Sequence, residues 1–267
     1  MKAISELMSL RGRTALITGA TGGIGQEIAL TIAELGGSLI LVDQPDSNYD
    51  QMKQTITHNW NVDVECIDCD LEYENSRLEL IKSVIKSNVN LDILINNAAF
   101  VGESNLKGWV ENFENQSLET WRRAMEVNLT APFHLSQAFT PLLKKSGNGS
   151  IINIASIYGV NAPDYSLYVG TNMGNPAGYS VSKGGLIQLT RWLATTIAPE
   201  IRVNAISPGG VWRNQSKKFV ERYESRTPLA RMATEEDFKG VIAYLSSDLS
   251  AYVTGQNIVV DGGWTVW

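Results

Sequence analysis

The 267-residue chain predicts one α/β domain, a doubly wound parallel sheet of seven strands with helices on both faces. Three observations carry this expectation. Short apolar runs rich in β-branched residues alternate with longer runs of i, i+3, i+4 apolar spacing from start to finish. The short runs are apolar at consecutive positions, which suits strands covered on both faces. No Pro/Ser-rich linker or internal repeat divides the chain, and its length suffices to bury a sheet between two helical layers.

The elements follow in order. Thr14–Thr18 is the first strand; it leads through Thr18-Gly19-Ala20-Thr21-Gly22-Gly23-Ile24-Gly25 into a helix over Ile24–Leu35. Ser38–Val42 is the second strand and ends at Asp43. Val62–Cys69 and Leu91–Asn96 are the third and fourth. A helical pattern over Glu119–Leu143 precedes the fifth strand, Gly149–Ile154. Ala177–Ala198 is helical, Arg202–Ile206 is the sixth strand, Glu235–Ser246 is helical and Asn257–Asp261 closes the sheet. Such alternation implies right-handed crossovers. Residues 157–178 and 211–234 resist the pattern, and both follow strands on the carboxyl side where open α/β sheets bind ligands.

Bulk properties exclude several classes. The net charge of −6 argues against a nucleic-acid or anionic-membrane surface. No apolar run reaches the ~18 residues needed to span a bilayer. The start, Met1-Lys2-Ala3-Ile4-Ser5-Glu6, lacks a signal-peptide core, so a cytoplasmic location is expected. Cys66 and Cys69 form a C-x-x-C, but residues three apart on a strand point to opposite faces. With only His58 and His134 elsewhere, packed reduced thiols are expected and no metal site.

The glycines after the first strand let the backbone turn tightly and approach a pyrophosphate, whose charge sits at a helix amino end. Asp43, 18 residues beyond Gly25, can accept hydrogen bonds from an adenosine ribose and would repel a 2′-phosphate. No lysine or arginine in the glycine loop or just after Asp43 offsets that repulsion, so NAD is preferred and NADP disfavoured. Tyr179 and Lys183 share a helical face at i and i+4. An ammonium beside a phenol favours the phenolate and brings it toward the working range of a proton-transfer group. Tyr49 and Lys53 have the same spacing, but Tyr49 follows the ribose-binding strand and is read as the exposed start of a helix.

Together these residues resemble the short-chain dehydrogenase/reductase family over nearly the whole chain, from about Leu10 to Trp264. Thr18-Gly19-x-x-x-Gly23-Ile24-Gly25 is similar to that family's phosphate loop, with Gly19, Thr21, Gly23, Ile24 and Gly25 as cofactor residues. Asp70-Leu71 resembles the exit of the third strand that contacts adenine. Asn96-Asn97-Ala98-Ala99 resembles Asn-Asn-Ala-Gly, with Ala99 for glycine and Asn97 and Ala98 near the cofactor. Asn128 matches the helical Asn that holds a proton-relay water, Ser156 the serine after the fifth strand, and Tyr179 and Lys183 the Tyr-x-x-x-Lys pair. Pro208, Gly209 and Val211 match the loop beside nicotinamide, and Asp261-Gly262-Gly263 a carboxyl-terminal signature. The resemblance implies a Rossmann-type single domain over 1–267. Residues 10–100 are then mainly cofactor-binding, and 120–267 carry the catalytic tetrad, the substrate loop and oligomer contacts, with a homotetramer or homodimer expected.

One departure stands out. Tyr179 trails Ser156 by 23 residues, where the family usually has about a dozen. Tyr168 sits at the conventional distance, but Asn172 follows it at the lysine position. Only Tyr179 has a cationic partner, so the extra segment precedes the catalytic helix and borders the substrate cleft. Its Tyr, Asn, Gly and Pro residues suit a polar, hydroxylated ligand, and its wording resembles reductases of bacterial surface-sugar and flagellin-modification pathways. Tyr158, Tyr168, Trp212 and Arg213 are candidate substrate residues. Val211–Phe219 resembles a substrate lid, with Arg213, where the family often has Thr, and Lys217 and Lys218 as candidate phosphate or carboxylate contacts. Trp109, Trp264 and Trp267 are candidates for the cleft or a subunit contact. The expected activity is NAD(H)-linked interconversion of a secondary alcohol and a ketone on a sugar, sugar phosphate or other polyhydroxylated small molecule. An NAD-dependent sugar epimerase or dehydratase and a non-catalytic dinucleotide sensor or scaffold are the alternatives.

Overall fold

The apolar runs form seven strands: β1 (Thr14–Thr18), β2 (Ser38–Asp43), β3 (Val64–Asp68), β4 (Ile93–Asn96), β5 (Gly149–Ile154), β6 (Ile201–Pro208) and β7 (Asn257–Val260). In this computed structural model, which describes residues 1–101 and 106–267, all are parallel in the order β3-β2-β1-β4-β5-β6-β7. Leu16 is in register with Ile40 on one side and Leu94 on the other. Strand order reverses between β1 and β4, which opens a crevice at their carboxyl ends.

Nine α-helices lie among the described residues: α1 (Ile4–Met8), α2 (Gly23–Glu34), α3 (Asp50–Asn59), α4 (Glu74–Lys86), α5 (Leu118–Met125), α6 (Ala131–Ser146), α7 (Ala177–Thr196), α8 (Lys217–Arg226) and α9 (Lys239–Ser246). Along β1, Ala15 and Ile17 enter one core while Leu16 enters the other. The first core takes Ile28 and Ile32 of α2, Ile56 of α3 and Ile242 of α9. The second takes Leu80 of α4, Leu135 and Phe139 of α6, and Leu193 of α7. Each such fully buried side chain contributes about 1.5–3 kcal/mol by leaving water, which makes the double coverage of the sheet the main source of its stability.

Four helices escape the sequence pattern for a physical reason, α1 because it buries no side chain. α3 buries only Met52 and Ile56, and α8 only Phe219 and Tyr223. α4 interrupts its apolar stripe with the buried Arg77. The pattern over Glu119–Leu143 resolves into α5 and α6 joined by a π-helical turn, Glu126–Thr130, with Asn128 at its centre. Such single π turns mark functional positions in helices.

Tyr49 corrects an expectation. It does begin α3, but its ring is buried and its hydroxyl donates to the Ile67 carbonyl at 3.2 Å. The apolar ring fills the gap between α3 and the sheet edge, and burial pushes its phenol up, away from acid–base use. Cys66 packs toward the first core and Cys69 lies in the second, so the two thiols serve opposite faces of the sheet. Among the described residues, no helix is long and apolar enough to cross a membrane.

Beyond the two sheet cores lies a third apolar cluster. It joins Ile157, Leu167 and Tyr168 of the long segment after β5 to Phe219 and Tyr223 of α8, with Met232 and Trp264.

Candidate active site

The chain leaves β1 through Gly19, whose φ of +64° only glycine adopts without strain. Gly25 allows the first turn of α2 to sit directly on this loop: a Cβ there would lie 2.0 Å from the Gly19 carbonyl oxygen. No side chain caps α2, so its leading N–H groups stay available to an anion. Asp43 at the end of β2 does more than present a charge. Its Oδ2 accepts from the Thr21 N–H at 2.8 Å and the Thr21 hydroxyl at 2.7 Å, bracing the loop. Asn97 braces it from the other side, donating to the Thr18 and Gly19 carbonyls at 3.0 and 2.9 Å. The Leu71 carbonyl is held by the buried Arg77, which also pairs with Glu126 of the π turn at 2.7 Å.

All the cofactor residues singled out from the sequence, from Gly19 to Val211, line one cleft of about 810 Å³. Ser156, Tyr179 and Lys183 line the same cleft at its far end. Lys183 is buried on α7; its Nζ donates to the Ile154 carbonyl at 2.7 Å and lies 5.9 Å from the centre of the Tyr179 ring. This fit depends on Gly159, where a Cβ would lie 2.7 Å from the Lys183 backbone.

The electrostatics differ from the expectation. Burial raises the Tyr179 phenol above its ordinary value; only the Ser156 hydroxyl and the charge of Arg213 pull it down. Burial also lowers Lys183 to about 7. Lys183 is withdrawn from water and Tyr179 is part-buried in the cleft wall, and desolvation disfavours the charged form of each. Burial thus weakens the hold of Lys183 on its proton beside the phenol.

Asn128 is fully buried and does not reach the cleft. Its amide donates to the Phe100 carbonyl at 3.2 Å and the Ser182 hydroxyl at 3.0 Å, and its Oδ1 accepts from the Phe100 N–H at 2.6 Å. The side chain thus ties the chain after β4 to α7, one residue ahead of Lys183.

The long segment after Ser156 forms the cleft wall. Tyr158 and Tyr168 share a hydroxyl–hydroxyl bond of 2.6 Å, and Tyr168 packs on Phe219 at 5.5 Å between ring centres. Arg222 of α8 donates to the Leu167 and Val169 carbonyls at 3.2 and 2.5 Å, and Arg226 pairs with Asp164. The segment and α8 therefore form one packed wall.

The other candidates divide. Arg213 lines the cleft, but Trp212 is half-exposed and lies outside it. Lys217 and Lys218 point to solvent, Lys217 pairing with Glu221 at 3.7 Å, because α8 turns its apolar face inward. Trp109 is buried with its N–H donated to the Val101 carbonyl at 2.7 Å, Trp264 stacks on Tyr223, and Trp267 is exposed. Met173, Asn175, Tyr223 and Met232 also line the cleft. No motif marks them; they arrive there by packing, Tyr223 with its phenol oxygen accepting from the Gly210 N–H at 2.6 Å. Chemically, a phenol, a serine hydroxyl and a buried amine suit proton exchange at a substrate oxygen. They sit in the cleft that opens at an uncapped helix end.

Comparisons with known proteins agree with this geometry. The family model described as enoyl-(acyl carrier protein) reductase matches residues 19–265. A short-chain dehydrogenase of Leptospira borgpetersenii, solved with bound NAD+, is 36% identical; it covers 99% of this chain and 96% of its own, with a TM-score of 0.83. The NADPH-dependent 3-quinuclidinone reductase of Rhodotorula rubra is 26% identical, covering 100% and 96%, with a TM-score of 0.85. The post-translational flagellin modification protein A of Campylobacter coli is 31% identical over 96% of this chain and 99% of its own length. The chain belongs to the short-chain dehydrogenase/reductase family, and is an oxidoreductase of the kind that acts on CH–OH or C=O groups.

Proposed function

We propose that the protein interconverts a secondary alcohol and a ketone with NAD(H), on a sugar, sugar phosphate or other polyhydroxylated substrate. The supporting observation is the single cleft that runs from the braced glycine loop and Asp43 to Ser156, Tyr179 and Lys183. The loop and the uncapped end of α2 would hold the pyrophosphate, Asp43 the adenosine ribose, and Asp70 and Leu71 the adenine edge. Lys183 would hold the nicotinamide ribose. Asp43 argues for NAD, since its carboxylate meets a 2′-phosphate with repulsion and no lysine or arginine lies in the glycine loop or just after it. The hydride chemistry belongs to the cofactor when bound.

The protein's part is the proton and the alignment. Tyr179 exchanges the proton with the substrate oxygen, and Ser156 hydrogen-bonds that oxygen as charge develops. Lys183, which burial makes a weaker base than a free amine, passes the proton between Tyr179 and solvent. Because both N–H groups of the Asn128 amide are engaged, a relay water beside it would donate to the remaining lone pair of Oδ1 or to a backbone carbonyl of the π turn. The phenol pair Tyr158–Tyr168 and the Asn175 wall favour a hydroxylated substrate, and the likeness to a flagellin-modification protein supports the same direction. A homodimer or homotetramer is supported by Phe133, Val181 and Trp192, which stand exposed on α6 and α7.

A panel of sugars, sugar phosphates and cyclic alcohols followed by NADH absorbance tests the reading. Net NADH release with a polyol, and little with simple alcohols, is expected. Turnover without net NADH would assign an epimerase instead.

A further inference from the structure

Arg213 and Glu235 meet over the glycine loop. A Cβ built on Gly23 would lie 2.9 Å from an Arg213 guanidinium nitrogen and 2.6 Å from Glu235 Oε1. Gly23 is the first residue of α2, so both charged groups stand at the uncapped helix end where a dinucleotide's pyrophosphate belongs. Their ion pair measures 3.4 Å, longer than a charge-assisted hydrogen bond, and half of the arginine side chain is exposed. A pair of this kind contributes little and is readily exchanged.

The two partners are held differently. Glu235 begins a short helical turn fixed by a reciprocal Thr234–Asp237 cap, and Asp237 is clamped by both terminal nitrogens of Arg231 at 2.6 and 2.7 Å. Arg213 sits on a tight turn: Asn214 follows at φ +57°, and the Arg213 N–H donates to Gln215 Oε1 at 2.7 Å. Only the long side chain is free to move. Apart from Lys183, which is buried on α7 beside Tyr179 and assigned to the nicotinamide ribose, Arg213 is the only lysine or arginine lining the cleft among the described residues. A bound pyrophosphate would bring two negative charges beside Glu235, a repulsion that Arg213 is placed to offset.

We propose that Arg213 is a cofactor latch, leaving Glu235 to grip the pyrophosphate, and that Glu235 competes for it and so speeds cofactor release. This rests on the dinucleotide reading above. NADH, ADP-ribose and adenosine titrated calorimetrically into the full chain test it. Arg213→Gln should weaken NADH and ADP-ribose about tenfold, the loss of one hydrogen bond between charged groups, and leave adenosine unchanged. Glu235→Gln should tighten NADH about threefold, the scale of a half-exposed ion pair, and the double variant should bind NADH more tightly than Arg213→Gln, because the repulsion from Glu235 is gone. Parental NADH affinity in Arg213→Gln would overturn the latch, as would weaker binding in Glu235→Gln or an equal loss for adenosine. Failure of the parent protein itself to bind NADH would overturn the dinucleotide reading, and the latch with it.

Discussion

Replacing Lys183 with methionine separates the cost of burying an amine from the value of its hydrogen bond. Burial lowers this amine from 10.5 to about 7. At about 1.4 kcal/mol per unit, holding the charged form in the folded protein costs several kcal/mol. Below about pH 7 the amine is protonated both folded and unfolded, so the whole cost is present. Between about pH 7 and 10.5 only the unfolded chain still binds the proton, and parental stability rises with pH. Methionine removes this cost but leaves the Ile154 carbonyl without its donor, a loss of about 1–3 kcal/mol. Lys183→Met should therefore exceed the parent in stability by about 2 kcal/mol at pH 6. That advantage should fall by about 3 kcal/mol by pH 9.5 and change sign. Urea unfolding at both pH values, with m-values compared, reads the difference directly. A gap that stays constant across this range would refute the claim that desolvation governs Lys183.

Three further expectations follow from the same geometry. Tyr179→Phe should keep NADH affinity within about twofold while turnover falls at least 10²-fold, the scale of lost general acid–base catalysis; near-parental turnover would remove Tyr179 from its proposed role. Asp43→Ala combined with Gln44→Arg should raise the NADP/NAD ratio of kcat/KM at least about tenfold. It should also cost about 1–2 kcal/mol of stability, because Thr21 loses both bonds to the carboxylate; an unchanged ratio refutes the cofactor assignment. Gly25→Ala drives a methyl into the Gly19 carbonyl and should lower stability by about 1–3 kcal/mol while weakening NADH binding. A parental melting temperature would show that the loop is less tightly packed than these distances require.

Much of the architecture is legible in the residues. β1, β2, β4 and β5 announce themselves because strands covered on both faces need consecutive apolar side chains, and Leu16 and Ile17 serve opposite cores. The glycine loop is legible because positive φ and close backbone approach leave few residue choices, as at Gly19 and Gly25. The order of Asn128, Ser156, Tyr179 and Lys183 also selects Tyr179 over Tyr49 before any coordinates are known. By contrast, α3 and α8 bury too few side chains to leave a clear periodic trace.

What the chain order hides is distance in space and distance from water. Arg213 and Gly23 stand about 190 residues apart, yet they meet at the helix end, while the nearby Lys217 and Lys218 point away from the cleft. Tyr179 and Lys183 sit four residues apart, and spacing alone predicts a phenol made more acidic by its neighbour. Folding buries Lys183 and sets Tyr179, part-buried, in the cleft wall, and desolvation raises the phenol and lowers the amine. Steric and periodic constraints act over a few residues and are written locally. The charge state of a buried group depends on every element packed around it, and so it emerges only once α7 closes on β5 and the long wall before it.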